Sequence, residues 1–319
     1  MPPSRELMER LYRRMLVLRR AEEKVAELYP QQQMRSPVHL YIGQEAVSAG
    51  VCQALKPTDY VLGSHRSHAA YLAQGGSLKG MFAELYGRKA GCASGRGGSM
   101  HLVDEAAGFL GSSALVGGTI PMAVGAAWSA VLRGTGAVAA CFFGDAAVEE
   151  GVFTESLNLA ALHRLPVLFV CENNLYATAT PLGPRQPQAA SGIHRRGEPF
   201  GIPGVRVDGN DAPAVHAAAA TAVSRARKGE GPTLLECMTY RWKGHVGPDT
   251  DTHLGYRSQA ELESWQARCP IAFLERALPP DVAGGIRAEV ARRVEEAAAF
   301  GKASLPPDPA DLGLEPARP

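Results

Sequence analysis

The sequence has few of the features that mark several large classes of protein. Its six cysteines are widely spaced and include no Cys-X-X-Cys pair, which argues against zinc knuckles and a small disulfide scaffold. Its apolar runs are too short to span a bilayer, and its charged first residues do not resemble a secretory signal peptide. We therefore expect a protein of the reducing cytoplasm with no membrane partner.

Neither sign of charge is in excess. With 33 basic and 32 acidic residues the net charge is +1, so nothing indicates a nucleic-acid partner, and a phosphate ligand has to be held by local groups. The sequence also lacks a Gly-X-Gly-X-X-Gly segment that opens a helix after a strand, with an acidic residue about twenty positions later. The glycines at residues 95–98 do not have this spacing. A nucleotide-binding dehydrogenase is therefore disfavoured.

Short apolar runs alternate with helical stretches from about residue 60 onward. The predicted strands are residues 60–62, 137–143, 167–171, 205–207 and 233–238, and the predicted helices are residues 119–132, 149–163 and 212–228. Apolar strands separated by helices indicate an α/β fold, a doubly wound parallel sheet with helices on both faces. Ligands of such sheets bind at the carboxyl ends of the strands.

We expect a single domain over residues 1–319. Its predicted parts are an N-terminal amphipathic helix (1–30), a core (31–257), C-terminal helices (258–303) and a loosely held, Pro-rich tail (304–319). Ser4 is the candidate N-cap of the first helix, although spacing alone does not show whether this helix packs on its own core or on a partner. Residues 183–204 and 243–257 are predicted long loops, and such loops are often functional.

Polar residues follow two of the predicted strands. The strand 137–143 ends in Gly144 and Asp145, and the strand 167–171 is followed by Glu172, Asn173 and Asn174. Taken singly, such residues are usually turn or loop residues. Together, a carboxylate and an amide oxygen at neighbouring strand ends suit Mg²⁺, which prefers oxygen ligands, few of them from protein. The helix that begins near residue 147 adds backbone N–H donors for an anion, so the pattern predicts a diphosphate–metal site.

Histidines and arginines recur in three further motifs. These are HLYIGQEA at residues 39–46, HRSH at 65–68 and YRWKGH at 240–245. Arg66 carries a planar fork that matches a phosphate. A lone histidine is often a satisfied core residue, so these motifs alone leave the roles of His39, His65, His68 and His245 open.

The run GDAAVEEGVFTESLNLAALHRLPVLFVCENNLY resembles the thiamine-diphosphate motif of the alpha subunits of 2-oxo-acid dehydrogenases, such as the pyruvate, branched-chain 2-oxo-acid and acetoin dehydrogenases. The resemblance extends from about residue 39 to residue 265 and includes the three motifs above. It implies a thiamine-diphosphate-binding fold with thiamine diphosphate and Mg²⁺ as cofactors. Where the family usually has Gly-Asp-Gly, this sequence has Ala146, and alanine tolerates a positive φ less well than glycine.

The resemblance also implies roles for individual residues. The implied metal ligands are the side chains of Asp145 and Asn174 and the backbone carbonyl of Tyr176. The implied cofactor contacts are His65, Arg66, Ala114, Leu115 (as an apolar wedge), Val116, Gly144, Asp145, Ala146, Ala147, Asn174 and His245. The implied catalytic or substrate-pocket residues are His39, His68 and His245. Val246 stands where mitochondrial relatives carry a regulatory serine, so we expect no phosphorylation switch there.

The function implied is that of an oxidoreductase subunit that decarboxylates or cleaves a 2-oxo acid or acetoin and passes the acyl group to an acceptor such as lipoamide. The family's active site needs a beta subunit, so we expect an alpha2-beta2 heterotetramer, with a lipoyl acyltransferase as a further partner. Two alternatives stay open: a carboligase or transketolase-like subunit of a biosynthetic pathway, and a non-catalytic scaffold that has kept the fold.

Overall fold

A six-stranded parallel sheet forms the centre of the molecule. The computed structural model describes residues 3–34, 36–187 and 191–312. The strands of the sheet are β1 (Tyr60–Gly63), β2 (Phe109–Ser112), β3 (Ala139–Gly144), β4 (Val167–Asn173), β7 (Gly204–Asp208) and β8 (Thr233–Met238), and a separate short hairpin consists of β5 (Tyr176–Ala177) and β6 (Thr180–Pro181). The order in the sheet is β2-β1-β3-β4-β8-β7.

Helices cover both faces of this sheet. They are α1 (Arg5–Leu28), α2 (Glu45–Ala54), α3 (His68–Gln74), α4 (Leu78–Leu85), α5 (Thr119–Leu132), α6 (Gly151–Leu162), α7 (Leu182–Arg185), α8 (Ala212–Arg227), α9 (Gln259–Gln266), α10 (Pro270–Ala277) and α11 (Pro280–Ala303). Alternate residues of β3 enter different cores: Ala140 and Phe142 pack with α1 to α4, α8 and α11, whereas Cys141 and Phe143 pack with α5 and α6. The predicted doubly wound α/β fold is therefore confirmed.

The first helix packs on the molecule's own core. Ser4 caps α1 by accepting a hydrogen bond from the backbone N–H of Leu7 at 3.2 Å, as predicted. The apolar face of α1 is buried, and Arg19 on that helix forms a buried ion pair with Glu45 at the start of α2, at 2.6 Å. The side chain of Lys24 pairs with Glu295 of α11 at 2.6 Å. These contacts join the first helix to the last long helix and to the centre.

Several elements differ from the sequence-based expectation. The edge strand β2 was not predicted, because four residues that include a glycine give no periodic signal. A 3₁₀ helix, Asp145–Glu149, precedes α6. The predicted loop 183–204 contains the end of α7 and a 3₁₀ helix, Ile193–Phe200.

The predicted tail is only partly described. The backbone N–H of Lys89 donates to the carbonyl of Leu305 at 2.9 Å, and the Lys89 ammonium pairs with Asp311 at 2.8 Å. Residues 313–319 lie outside the described residues. Within the described part of the chain, no helix combines the length and the apolar character needed to cross a membrane.

Candidate functional site

A cavity of about 220 Å³ lies at the carboxyl ends of β1, β3 and β4. Twelve of the fourteen residues that the sequence singled out line it. They are His39, His65, Arg66, Ala114, Val116, Gly144, Asp145, Ala146, Ala147, Asn174, Tyr176 and His245. β3 and β4 are neighbours, with Gly144 opposite Glu172, so the two polar strand ends do meet at one edge of the sheet.

The buried carboxylate of Asp145 already has a cationic partner. Arg185, from α7, directs one guanidinium nitrogen to Asp145 and another to Glu149. The side-chain amide of Gln186 donates to the backbone carbonyl of Asp145 at 3.1 Å. Burial raises the pKa of Asp145, and the Arg185 charge opposes that rise. Arg185 therefore supplies the positive charge that a buried carboxylate requires.

Asn174 presents an oxygen toward the same edge. Its amide nitrogen donates to Gln44 at 3.0 Å, and its side-chain oxygen accepts the backbone N–H of Tyr176 at 3.4 Å. The Tyr176 hydroxyl is engaged elsewhere, with Glu261 at 2.8 Å. A carboxylate and an amide oxygen at adjacent strand ends are the donor types that Mg²⁺ prefers, so the residues present fit that ion.

Ala146 causes no backbone strain. Six non-glycine residues in the described part of the chain have a positive φ, and Ala146 is not one of them. Alanine thus occupies this position of the motif without the conformation that would favour glycine.

Three histidines meet on one side of the cavity. The ring centroids of His39 and His65 lie 4.7 Å apart, those of His39 and His245 5.1 Å, and those of His65 and His245 5.3 Å. Burial, and then the charge of Arg66, lowers the pKa of His39 to about 3, of His65 to about 2 and of His245 to about 4. All three imidazoles are therefore neutral at pH 7.

Arg66 holds the histidine-bearing segments together. One guanidinium nitrogen donates to the carbonyl of Leu40 at 2.6 Å and another to the carbonyl of His245 at 3.1 Å. Burial lowers the Arg66 pKa to about 9. The Arg66 guanidinium, which was predicted to bind a phosphate, thus donates to the backbone carbonyls of Leu40 and His245.

Two of the predicted residues do not line the cavity. His68 is fully buried, with Nδ1 2.8 Å from Glu22 of α1 and Nε2 2.8 Å from Ser99, so both of its ring nitrogens are occupied. This arrangement gives His68 a structural role and does not support the predicted catalytic one. The side chain of Leu115 is 75% exposed. It faces solvent where an apolar wedge had been expected.

Two buried acidic residues were not among the predicted site residues. Glu172 lines the cavity, accepts a hydrogen bond from Tyr41, and has its pKa raised to about 8 by burial. Glu84 accepts four backbone N–H groups from residues 93, 95, 97 and 98, at 2.7–3.0 Å, and so shapes the Gly-rich segment. The only signal for Glu84 was an acidic residue among the apolar residues of the second half of α4.

Known proteins resemble this chain over nearly its whole length. The model of the family described as dehydrogenase E1 component matches residues 13–309. The alpha subunit of the pyruvate dehydrogenase E1 component of Porphyra purpurea is 40% identical over 315 residues, which cover 95% of this chain and 90% of that protein. The alpha subunit of acetoin:2,6-dichlorophenolindophenol oxidoreductase of Bacillus subtilis is 41% identical over 307 residues, 95% and 91% of the two chains. The pyruvate dehydrogenase E1 alpha subunit of Rhizobium meliloti is 39% identical over 316 residues, 97% and 89% of the two chains.

Proposed function

This chain belongs to the dehydrogenase E1 component family, and we propose that it is the alpha subunit of a thiamine-diphosphate- and Mg²⁺-dependent dehydrogenase acting on a 2-oxo acid or acetoin. The observation that carries the proposal is the meeting of Asp145 and Asn174 at adjacent strand ends, in a cavity lined by the family-type histidines. The related proteins bear the names of dehydrogenases and of an oxidoreductase, which favours oxidative transfer over carboligation and over a scaffold role.

In this proposal Asp145, Asn174 and the carbonyl of Tyr176 hold Mg²⁺. Backbone N–H groups at the start of the 3₁₀ helix that contains Ala146 and Ala147 would donate to the diphosphate. Thiamine diphosphate supplies the electron sink for cleavage of the bond next to the substrate carbonyl.

The neutral histidines orient the substrate. An uncharged imidazole presents one N–H donor and one lone pair, so His39 and His245 can each donate to a substrate oxygen or accept a proton. Arg66 donates to the carbonyls of Leu40 and His245, which fixes the backbone that carries the two rings. His65 lines the cavity beside them and would contact the cofactor.

A beta subunit completes the site. Large apolar side chains stand exposed on α5, on α6 and on the segment before α5. They include Leu115, Val116, Met122, Leu132 and Leu162, and Val116 also lines the cavity. Exposed apolar clusters mark interaction surfaces. We propose that the beta subunit covers this surface in an alpha2-beta2 heterotetramer, and that lipoamide on an acyltransferase is the acyl acceptor.

A cytoplasmic location is part of the same proposal. All six cysteines are free thiols, as is usual in a reducing compartment.

The test is made on the assembly of this chain with its beta partner. We expect pyruvate- or acetoin-dependent reduction of 2,6-dichlorophenolindophenol that needs Mg²⁺ and thiamine diphosphate, and negligible turnover by this chain alone. Asp145→Asn should abolish the response to Mg²⁺, because an amide replaces the charged ligand, while Asp281→Asn, on the exposed start of α11, should not. Calorimetry that detects no thiamine diphosphate binding to the wild-type assembly would contradict the proposal and favour the scaffold alternative.

A further inference from the structure

The ring nitrogens of His39, His65 and His245 are not used by the protein. Among the hydrogen bonds of the described residues, none involves a ring nitrogen of these three side chains. His39 is 6% exposed, and its Nδ1 is enclosed without a partner. His68, by contrast, has a partner on both nitrogens. A buried imidazole without partners is costly, so unused nitrogens that face one another indicate a site for a ligand.

We propose that His39, His65 and His245 form a binding site for one transition-metal ion, with Zn²⁺ as the best-suited ion. One ring nitrogen from each lies within 4.8 Å of the others. Three imidazoles with an open fourth position are a ligand set that Zn²⁺ accepts, at about 2.0–2.1 Å per nitrogen. The site is separate in chemistry from the Asp145 edge, because hard Mg²⁺ prefers oxygen and avoids imidazole.

Protonation does not compete with the metal at this site. Burial and the charge of Arg66 keep the three rings neutral well below pH 6, and the other charged groups that act on them are Arg241, His68 and Asp251. The two arginines also repel a cation. We therefore expect weaker binding than in a zinc site supported by carboxylates, but binding that is insensitive to mild acid.

Metal binding here has one functional consequence. The three histidines and Asp145 line the same cavity, so we expect a metal on the histidines to compete with the cofactor and substrate. This competition rests on the proposed function, whereas metal binding itself does not.

The test uses Co²⁺ as a spectroscopic probe on the cofactor-free assembly of this chain with its beta partner. We expect one equivalent of Co²⁺ per chain with the visible absorption of a tetrahedral ion, and stoichiometric displacement by Zn²⁺. His39→Ala and His245→Ala should each weaken binding at least tenfold, since each removes a ligand. His253→Ala is the control, because that histidine is exposed and does not line the cavity, so the variant should bind Co²⁺ as the wild type does.

A second measurement needs no variant. Three ordinary imidazoles lose about fiftyfold in metal affinity between pH 7.5 and pH 6.0, since each is then largely protonated. This site should lose less than threefold. A wild-type assembly without tetrahedral Co²⁺ absorption would overturn the proposal, and so would wild-type affinity in both His39→Ala and His245→Ala. A fiftyfold loss at pH 6.0 would contradict the expected insensitivity to acid. Thiamine diphosphate binding is measured separately on the same samples, so a failure of the proposed function is recognised independently.

Discussion

Arg185 pairs with Asp145, the carboxylate that we propose binds Mg²⁺, and this gives the sharpest prediction. The Asp145 side chain is 2% exposed and that of Arg185 10%, so their ion pair is shielded from water. If Mg²⁺ binds Asp145, it shares that carboxylate with the guanidinium, and the two positive charges repel each other. The metal must therefore compete with an internal cation, and removing that cation should strengthen metal binding.

We expect Arg185→Gln to lower the stability of the cofactor-free protein and to raise its affinity for Mg²⁺ with thiamine diphosphate. Removing one partner of a buried pair costs about 3–5 kcal/mol, and glutamine keeps one hydrogen-bond donor, so we expect about 3 kcal/mol. If half of this free energy is regained when Mg²⁺ binds, the affinity for Mg²⁺ rises about tenfold.

Isothermal titration calorimetry on the assembly with the beta subunit measures the affinity, and urea unfolding measures the stability. Arg195→Gln is the matched control, because Arg195 forms an exposed pair with Glu198 at 2.9 Å and should change neither quantity by much. Equal or weaker binding by Arg185→Gln would refute the reasoning and would mean that Arg185 helps to hold the cofactor. Trypsin gives a second check: cleavage after Arg185 should be slow in the cofactor-free protein and faster once the cofactor is bound.

Three further predictions follow from buried groups. In α11, Gly301→Ala should destabilise the fold by about 1–3 kcal/mol, since a Cβ there would lie 2.7 Å from the backbone of Phe82. Gly285→Ala, at an exposed position of the same helix, should instead stabilise the fold by about 0.5–1 kcal/mol, and urea unfolding should show these opposite signs. Burial lowers the pKa of His65 in the folded protein to about 2, so below pH 6.5 the unfolded chain binds more protons and the folded state loses stability as the pH falls. His65 should account for about 2 kcal/mol of the free energy of unfolding that is lost between pH 6.5 and pH 5.0. The same pH dependence of unfolding free energy in His65→Asn would contradict this. Glu84→Gln should cost about 3 kcal/mol, because an amide nitrogen replaces an oxygen that accepts backbone N–H groups; an unchanged urea midpoint would argue against it.

The sequence was informative where a regular element ends in a polar residue. Asp145 and Asn174 were placed correctly because the carboxyl ends of neighbouring parallel strands meet by geometry. Arg185 was not found, since it lies 40 residues from Asp145 in a segment whose Gly and Pro content hides a short helix. A contact between residues so far apart in the sequence leaves no periodic pattern from which it could be predicted.

His68 illustrates a second kind of failure. The family resemblance implied a catalytic or substrate-pocket role for it. In the structure α3 begins at His68 and turns its ring inward, toward Glu22 of α1. That contact spans 46 residues, and a motif read locally carries no information about it.

The same imidazole joins distant parts of the chain. His68 contacts an acid 46 residues upstream and a hydroxyl 31 residues downstream, and the downstream residue, Ser99, adjoins Met100 in the wall of the cavity. Among the described residues none of the N-terminal helix lines the cavity, yet the position of that wall depends on the helix through this one ring. A substitution on the buried face of the helix can therefore alter the cavity from a distance.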